Sequence, residues 1–124
     1  MLAMDKHYLA KYGVDPDTFE LVAPLSGQMM THFTEKQARG IDRARPVIDS
    51  LAPLYHIRKD AAPLLIVTGD RNKEMICRYE ENALFVALMK HIGHPSVTFY
   101  EVQGFNHVKM LPPAILLLTS TLGL

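Results

Sequence analysis

Apolar residues run almost unbroken through "PLLIVTGD", Pro63 to Asp70, and crowd again in "VTFYEV", Val97 to Val102. The first run, bounded by Pro and Gly, has the pattern of a strand covered on both faces, as in a parallel sheet. Between the two runs, "CRYEENALFVALMKHIG" changes period. Cys77, Leu84, Phe85, Leu88 and Ile92 recur at helical spacing. This predicts a helix with those side chains inward, with Glu80, Glu81 and Lys90 outward, and with Gly93 as its end. The second run leads into the loop "QGFNH", then Pro112-Pro113 and an apolar helix from Ala114 to about Leu122. Strand, helix, strand, helix in that order predicts a parallel α/β sheet with right-handed crossovers.

The first half is less regular. Residues 2 to 12 are good helix formers that stop at Gly13, a natural residue for a helix end, but no Ser, Thr, Asp or Asn precedes Leu2 to cap the start. That bare beginning hints at a missing upstream segment. "VDPDTF" reads as a turn, with Pro16 fixing the backbone and Asp15 closing an Asx-type bond. "ELVAPLSG", Glu20 to Gly27, reads as a short buried strand followed by a loop. Thr34 is a candidate cap for a helix through "EKQAR" to Gly40; Pro46 opens a short helical stretch, "PVIDSL", which Pro53 interrupts. Residues 28 to 60 therefore form an irregular, polar, cap-like excursion of the kind that decorates a sheet's edge. The whole chain, residues 1 to 124, reads as one α/β domain with a mostly parallel sheet of about three strands and flanking helices.

Composition narrows the function classes. Thirteen basic and thirteen acidic residues cancel, so no surplus charge draws the chain to nucleic acid or an anionic membrane surface. Without Trp, and with scattered Tyr and Phe, there is no base-stacking platform. "AILLL" is too short to span a bilayer, and "MLAMDKHYLAKYG" lacks the basic region and long apolar core of a signal peptide. The single cysteine, Cys77, forbids an intrachain disulfide and weakly favours a reducing, cytoplasmic setting; the sequence fixes no compartment. Cys77 itself reads as a small buried apolar residue on the helix.

Two loops at the carboxyl ends of the predicted strands carry the candidate chemistry, because functional groups gather at that edge of parallel sheets. "GDRNKEM" offers Asp70, Asn72 and Glu74, and "QGFNH" offers His107. Neighbouring strand ends bring an acid and a histidine together, two thirds of what a Ser-His-acid triad needs. No HExxH, CxxC or phosphate loop occurs, and His7, His32 and His56 lack ligand spacing. His91 and His94 straddle Gly93 at a helix end, where the helix dipole explains them better than a metal does. No metal or cofactor is expected. The methionines read as core fillers or pocket lining.

The segments "APLYHIRKDAAPLLIVTGD", "YEENALFVALMKHIG" and "VTFYEVQGFNH" resemble the C-terminal half of an α/β-hydrolase of the esterase/lipase type. The resemblance covers residues 50 to 124 well and residues 1 to 27 more loosely. It implies a partial α/β-hydrolase fold, His107 as the base and an acid in the 70–74 loop. The family's usual acid position, three after the strand-end glycine, holds Asn72, which can hydrogen-bond a histidine but cannot stabilise an imidazolium by charge. Glu74 is the preferred acid, since Asp70 sits in the turn itself.

No Gly-x-Ser-x-Gly elbow and no Gly-rich oxyanion loop occurs anywhere in the chain. Ser26 in "APLSGQ" lacks the elbow's glycine and its strand–turn–helix context, and reads as a strand-end polar residue. Residues 1 to 12 would then be the end of the helix after the nucleophile, and the chain half an enzyme, inactive alone. The implied partner is a small-molecule carboxylic ester, bound once an upstream segment completes the site. The alternative is a non-catalytic α/β module that self-associates or binds a protein, since removing the preceding strands exposes a parallel edge and apolar helix faces. Self-association is expected in either case. A flavodoxin-like nucleotide binder is disfavoured by the lack of a phosphate loop.

Overall fold

The computed structural model describes all 124 residues. In chain order the regular elements are helices α1 (His7–Ala10) and α2 (Phe33–Ala38), strand β1 (Leu64–Gly69), helix α3 (Arg78–His91), strand β2 (Val97–Val102) and helix α4 (Leu111–Thr121). Short 3-10 turns lie at Pro16–Thr18 and Pro53–His56. β1 and β2 pair in parallel, Leu64 opposite Val97 through Gly69 opposite Val102, with α3 as the crossover between them.

The continuous apolar pattern of β1 has a direct cause. Successive strand side chains point to opposite faces, and both faces are covered. Leu64 and Ile66 pack with Met29, Leu54, Phe85, Val86 and Met89 on the α3 side. Leu65 and Val67 pack with Met110 and Ala114 on the α4 side.

The expected third strand is not a regular one. Residues 21–25 lie along β1 in parallel but make only isolated bridges, Val22 to Leu64 and Leu25 to Val67. The backbone bonds explain why. Val22 donates to Pro63, Leu65 to Val22, Val67 to Pro24 and Ser26 to Val67. The rung missing from this alternation is the one Pro24 would donate, and proline has no N–H. The sheet therefore has two strands flanked by helices.

Other expectations need correction. The first helix is a single turn, because the Asp5 carboxylate accepts from the His7 amide at 3.2 Å and so competes with an earlier helical start. Helix α2 is capped by the His32 ring, whose Nδ1 accepts from the Thr34 amide, not by Thr34. No helix follows Pro46: the Val47 carbonyl accepts from Thr31, and Asp49 gathers the Thr31 hydroxyl, the Leu51 amide and Arg39. Pro53 opens a turn rather than interrupting one. The last helix begins at Leu111, with Pro112-Pro113 inside its first turn, where their missing N–H groups cost nothing.

The largest correction concerns the inward face of α3. Its buried residues are Arg78, Glu81, Asn82, Phe85, Val86 and Met89, while Cys77, Leu84 and Ile92 are exposed. Glu81, expected outward, is buried. The stripe is rotated because its N-terminal turn buries polar groups that find partners in residues 26–30: Asn82 donates to the Gly27 carbonyl at 2.7 Å, and Glu81 accepts from the Met30 amide at 3.0 Å. Glu80 and Lys90 face solvent as expected. No helix is long and apolar enough to cross a membrane.

Candidate active site

The carboxyl ends of β1, of β2 and of the 21–25 segment converge on one cluster. Val67 accepts from the Ser26 amide at 2.6 Å, and there the pairing stops. Ser26 turns away at φ +50°, and its carbonyl accepts from the Arg78 guanidinium in place of another rung. Arg78 is in turn 3.0 Å from the Glu81 carboxylate, and both are buried. Burial pushes the Glu81 carboxyl up, against the opposing pull of the Met30 amide and Arg78.

Beyond β1 the chain makes a tight turn. The Asp70 carboxylate accepts from the amides of Asn72 (2.9 Å) and Gly104 (2.8 Å), and its amide donates to the Phe105 carbonyl (2.8 Å). These bonds bind the two loops together, and the amides hold the Asp70 carboxyl below its ordinary range. The fit leaves no room at Gly69, where a Cβ would lie 2.6 Å from the Phe105 oxygen and 3.1 Å from Glu74 Oε1. Outside, Arg71 pairs with Glu101 on β2 at 2.6 Å and stacks over the Tyr79 ring.

Glu74 points inward from this turn with its side chain 0% exposed. Oε1 accepts from the Ser26 hydroxyl (2.5 Å) and the Gly69 amide (3.0 Å). Oε2 accepts from the Met75 amide (3.0 Å) and lies 3.1 Å from His107 Nδ1. Burial alone pushes this carboxyl up; the bonds from Ser26, Gly69 and Met75, with the charge of His107, outweigh it and leave the group below its ordinary value. It is a carboxylate at neutral pH, oriented on both oxygens.

His107 meets this carboxylate and the Ser26 oxygen (2.8 Å) through the same nitrogen, Nδ1. Its Nε2 makes no hydrogen bond within the chain, and the side chain is 38% exposed. A neutral imidazole whose Nδ1 carries the proton presents a basic Nε2 to whatever lies outside.

Of the four candidate residues, then, Glu74 and His107 come into contact. Asp70 shapes the turn, and Asn72 stands exposed with its amide on Asp70 and makes no hydrogen bond to the ring. Ser26, read as a strand-end polar residue, closes the irregular 21–25 segment and belongs to the cluster. It touches Nδ1 and not Nε2, the wrong side of the ring for a nucleophile that Nε2 would deprotonate. The available signal for it was slight: a serine before a glycine at the end of an apolar run. Nowhere do three His, Cys, Asp or Glu side chains group so as to hold a metal ion.

No family model matches the sequence, and neither does any curated protein. Solved structures do. Esterase 2 of Thermogutta terrifontis, phosphoramylated by tabun, is 16% identical with a TM-score of 0.62, over 83% of this chain and 40% of the esterase. The thermophilic esterase Est2 of the same planctomycete with propionate bound is 17% identical, TM-score 0.62, over 83% and 42%. The form phosphonylated by cyclosarin is 16% identical, TM-score 0.61, over 83% and 40%. At this identity the likeness is one of fold: an α/β arrangement like part of an esterase. The chain spans about 40% of the length of the esterase it matches.

Proposed function

We propose that this chain is the C-terminal, histidine-and-acid portion of a serine hydrolase acting on carboxylic esters. The single observation that carries the reading is the bonding of His107: Nδ1 bound to a buried carboxylate, and Nε2 without a hydrogen bond on a side chain that is 38% exposed. In this reading Nε2 takes the proton of a serine hydroxyl as it attacks the ester carbonyl, then gives it to the departing alcohol. Glu74 stabilises the imidazolium through Nδ1–H. The serine and the oxyanion donors come from outside residues 1–124, because no elbow motif lies within them. Residues 1–124 alone are then inactive. The fold likeness to an esterase supports the same class.

The test begins with the source DNA upstream of Met1. An in-frame extension carrying Gly-x-Ser-x-Gly is expanded into a full chain and assayed with p-nitrophenyl propionate. Turnover that His107→Ala lowers by about 10³-fold or more supports the reading. Full turnover in that variant, or an upstream stop codon, refutes it.

A second reading rests on a different observation. The outer edge of β2 is unpaired, and beside it Tyr100 and Leu116 are exposed in one groove with Val102, Pro113 and Leu117. Such an edge with an apolar flank favours pairing with another copy of the chain, as a self-associating module without catalysis.

A further inference from the structure

We infer that Ser26 is a positioning residue that bridges Glu74 to His107 and holds the ring with the proton on Nδ1 and the lone pair on Nε2. The inference deepens the proposed function and rests on it for its catalytic meaning, but its test does not depend on turnover.

Three observations carry it. The Ser26 oxygen is nearer to His107 Nδ1 (2.8 Å) than the Glu74 carboxylate is (3.1 Å). Its own proton is already committed, donated to Glu74 Oε1 at 2.5 Å. A hydroxyl that has given its proton to a carboxylate has only lone pairs left to offer, so Nδ1 can bond to it only as N–H. Glu74 is an acceptor too, and the Nδ1 proton therefore faces two acceptors and no donor. A proton on Nε2 would instead set the Nδ1 lone pair against Glu74 Oε2, and Ser26 could donate to Nδ1 only by withdrawing its proton from Glu74 Oε1.

The backbone is the second observation. Ser26 is one of two non-glycine residues with positive φ, and glycine would occupy that conformation without strain. The chain carries a serine there and puts glycine next. A strained backbone kept with a polar side chain, over-determined by its surroundings, is the pattern found at functional sites.

Third, the surroundings hold it from outside the cluster. Arg78 donates to the Ser26 carbonyl and Asn82 to the Gly27 carbonyl, both from the buried face of α3. Ser26 itself is 2% exposed. Water is thus kept from competing for the hydroxyl, and the bridge has one geometry.

The test is nuclear magnetic resonance on the 124-residue chain with its imidazole nitrogens isotope-labelled, His107→Gln assigning the resonances. In the neutral ring, the wild type is expected to show a pyrrole-like Nδ1, a pyridine-like Nε2 and a low-field Nδ1 proton protected from exchange. Ser26→Ala, which keeps the strain but loses the hydroxyl, is expected to lower the ratio of the two tautomers about tenfold, the worth of one hydrogen bond. The protected proton is lost with it. Ser26→Gly, which also relieves the strain, is expected to do the same, and it keeps the test usable where Ser26→Ala folds poorly. Asn72→Ala is expected to change neither signal. A wild-type ring protonated on Nε2 overturns the inference. So does an unchanged ratio and a still-protected proton in both Ser26 variants, which would assign the whole task to Glu74. The proposed function fails separately, by absence of ester turnover in the extended chain.

Discussion

Replacing Glu74 by Gln tests the site at its centre, because the substitution keeps shape and volume and changes only charge and one acceptor. The carboxylate serves four neighbours, two per oxygen: Ser26 and Gly69 on Oε1, Met75 and His107 on Oε2. A glutamine offers one acceptor oxygen and one donor NH2. With the NH2 at the Oε1 position, the Gly69 amide faces a donor. With it at Oε2, the Met75 amide does, and His107 must present a lone pair. Either orientation orphans one backbone N–H, at about 1–3 kcal/mol, and turns the surviving charge-assisted bonds into neutral ones, at about 1 kcal/mol more. Glu74→Gln is therefore expected to destabilise the chain by about 2–4 kcal/mol at pH 7.

The assay is denaturant unfolding followed by circular dichroism, with the slope compared between variants to exclude a change of denatured state. The pH dependence adds a second check. The folded Glu74 carboxyl lies below its ordinary value. Its stabilisation is thus fully present above the unfolded value, about 4.3, and is lost as the pH falls through the lower folded value. The gap between wild type and Glu74→Gln is expected to be widest near neutrality and to close in that acid window. A loss under 0.5 kcal/mol at pH 7, or a gap that widens on acidification, would show that the carboxylate does not hold this cluster together.

Gly69→Ala is expected to cost about 1–3 kcal/mol, since its Cβ meets the Phe105 carbonyl at 2.6 Å, and to shift the His107 resonances; unfolding and spectra identical to wild type would contradict the packing. Arg78→Met breaks a buried ion pair and is expected to cost about 3–5 kcal/mol, part of it recovered in the Arg78→Met/Glu81→Gln double variant, which removes the charge and keeps an acceptor for the Met30 amide. A double variant no better than the single one would remove the uncompensated Glu81 charge as the cause. Light scattering at micromolar concentration is expected to find self-association, reduced by Leu116→Lys on the exposed flank of α4; a clean monomer counts against the exposed-edge argument.

What the sequence by itself determined was whatever leaves a one-dimensional trace. β1 is legible because burial on both faces removes polar residues from consecutive positions. The order strand, helix, strand then implies parallel pairing, and parallel pairing puts the 70–74 and 104–107 loops side by side. That is enough to bring an acid and His107 into one neighbourhood.

What the sequence left open was decided by contacts between distant residues. Of the three polar residues in the turn, the sequence favoured Glu74 as the acid without showing which of them reaches the ring. Glu74 alone reaches inward, because Asp70 is spent on the amides of Asn72 and Gly104. The buried face of α3 was misread for the same reason: Glu81, expected outward, is buried with Arg78 and Asn82 because Ser26, Gly27 and Met30, about fifty residues earlier, supply their partners. The third strand was legible as apolar, but its regularity was lost to one missing N–H at Pro24. Hydrophobic burial is a property of each side chain and repeats with the element's period. Satisfaction of a buried polar group belongs to a pair, and only the fold chooses the pair.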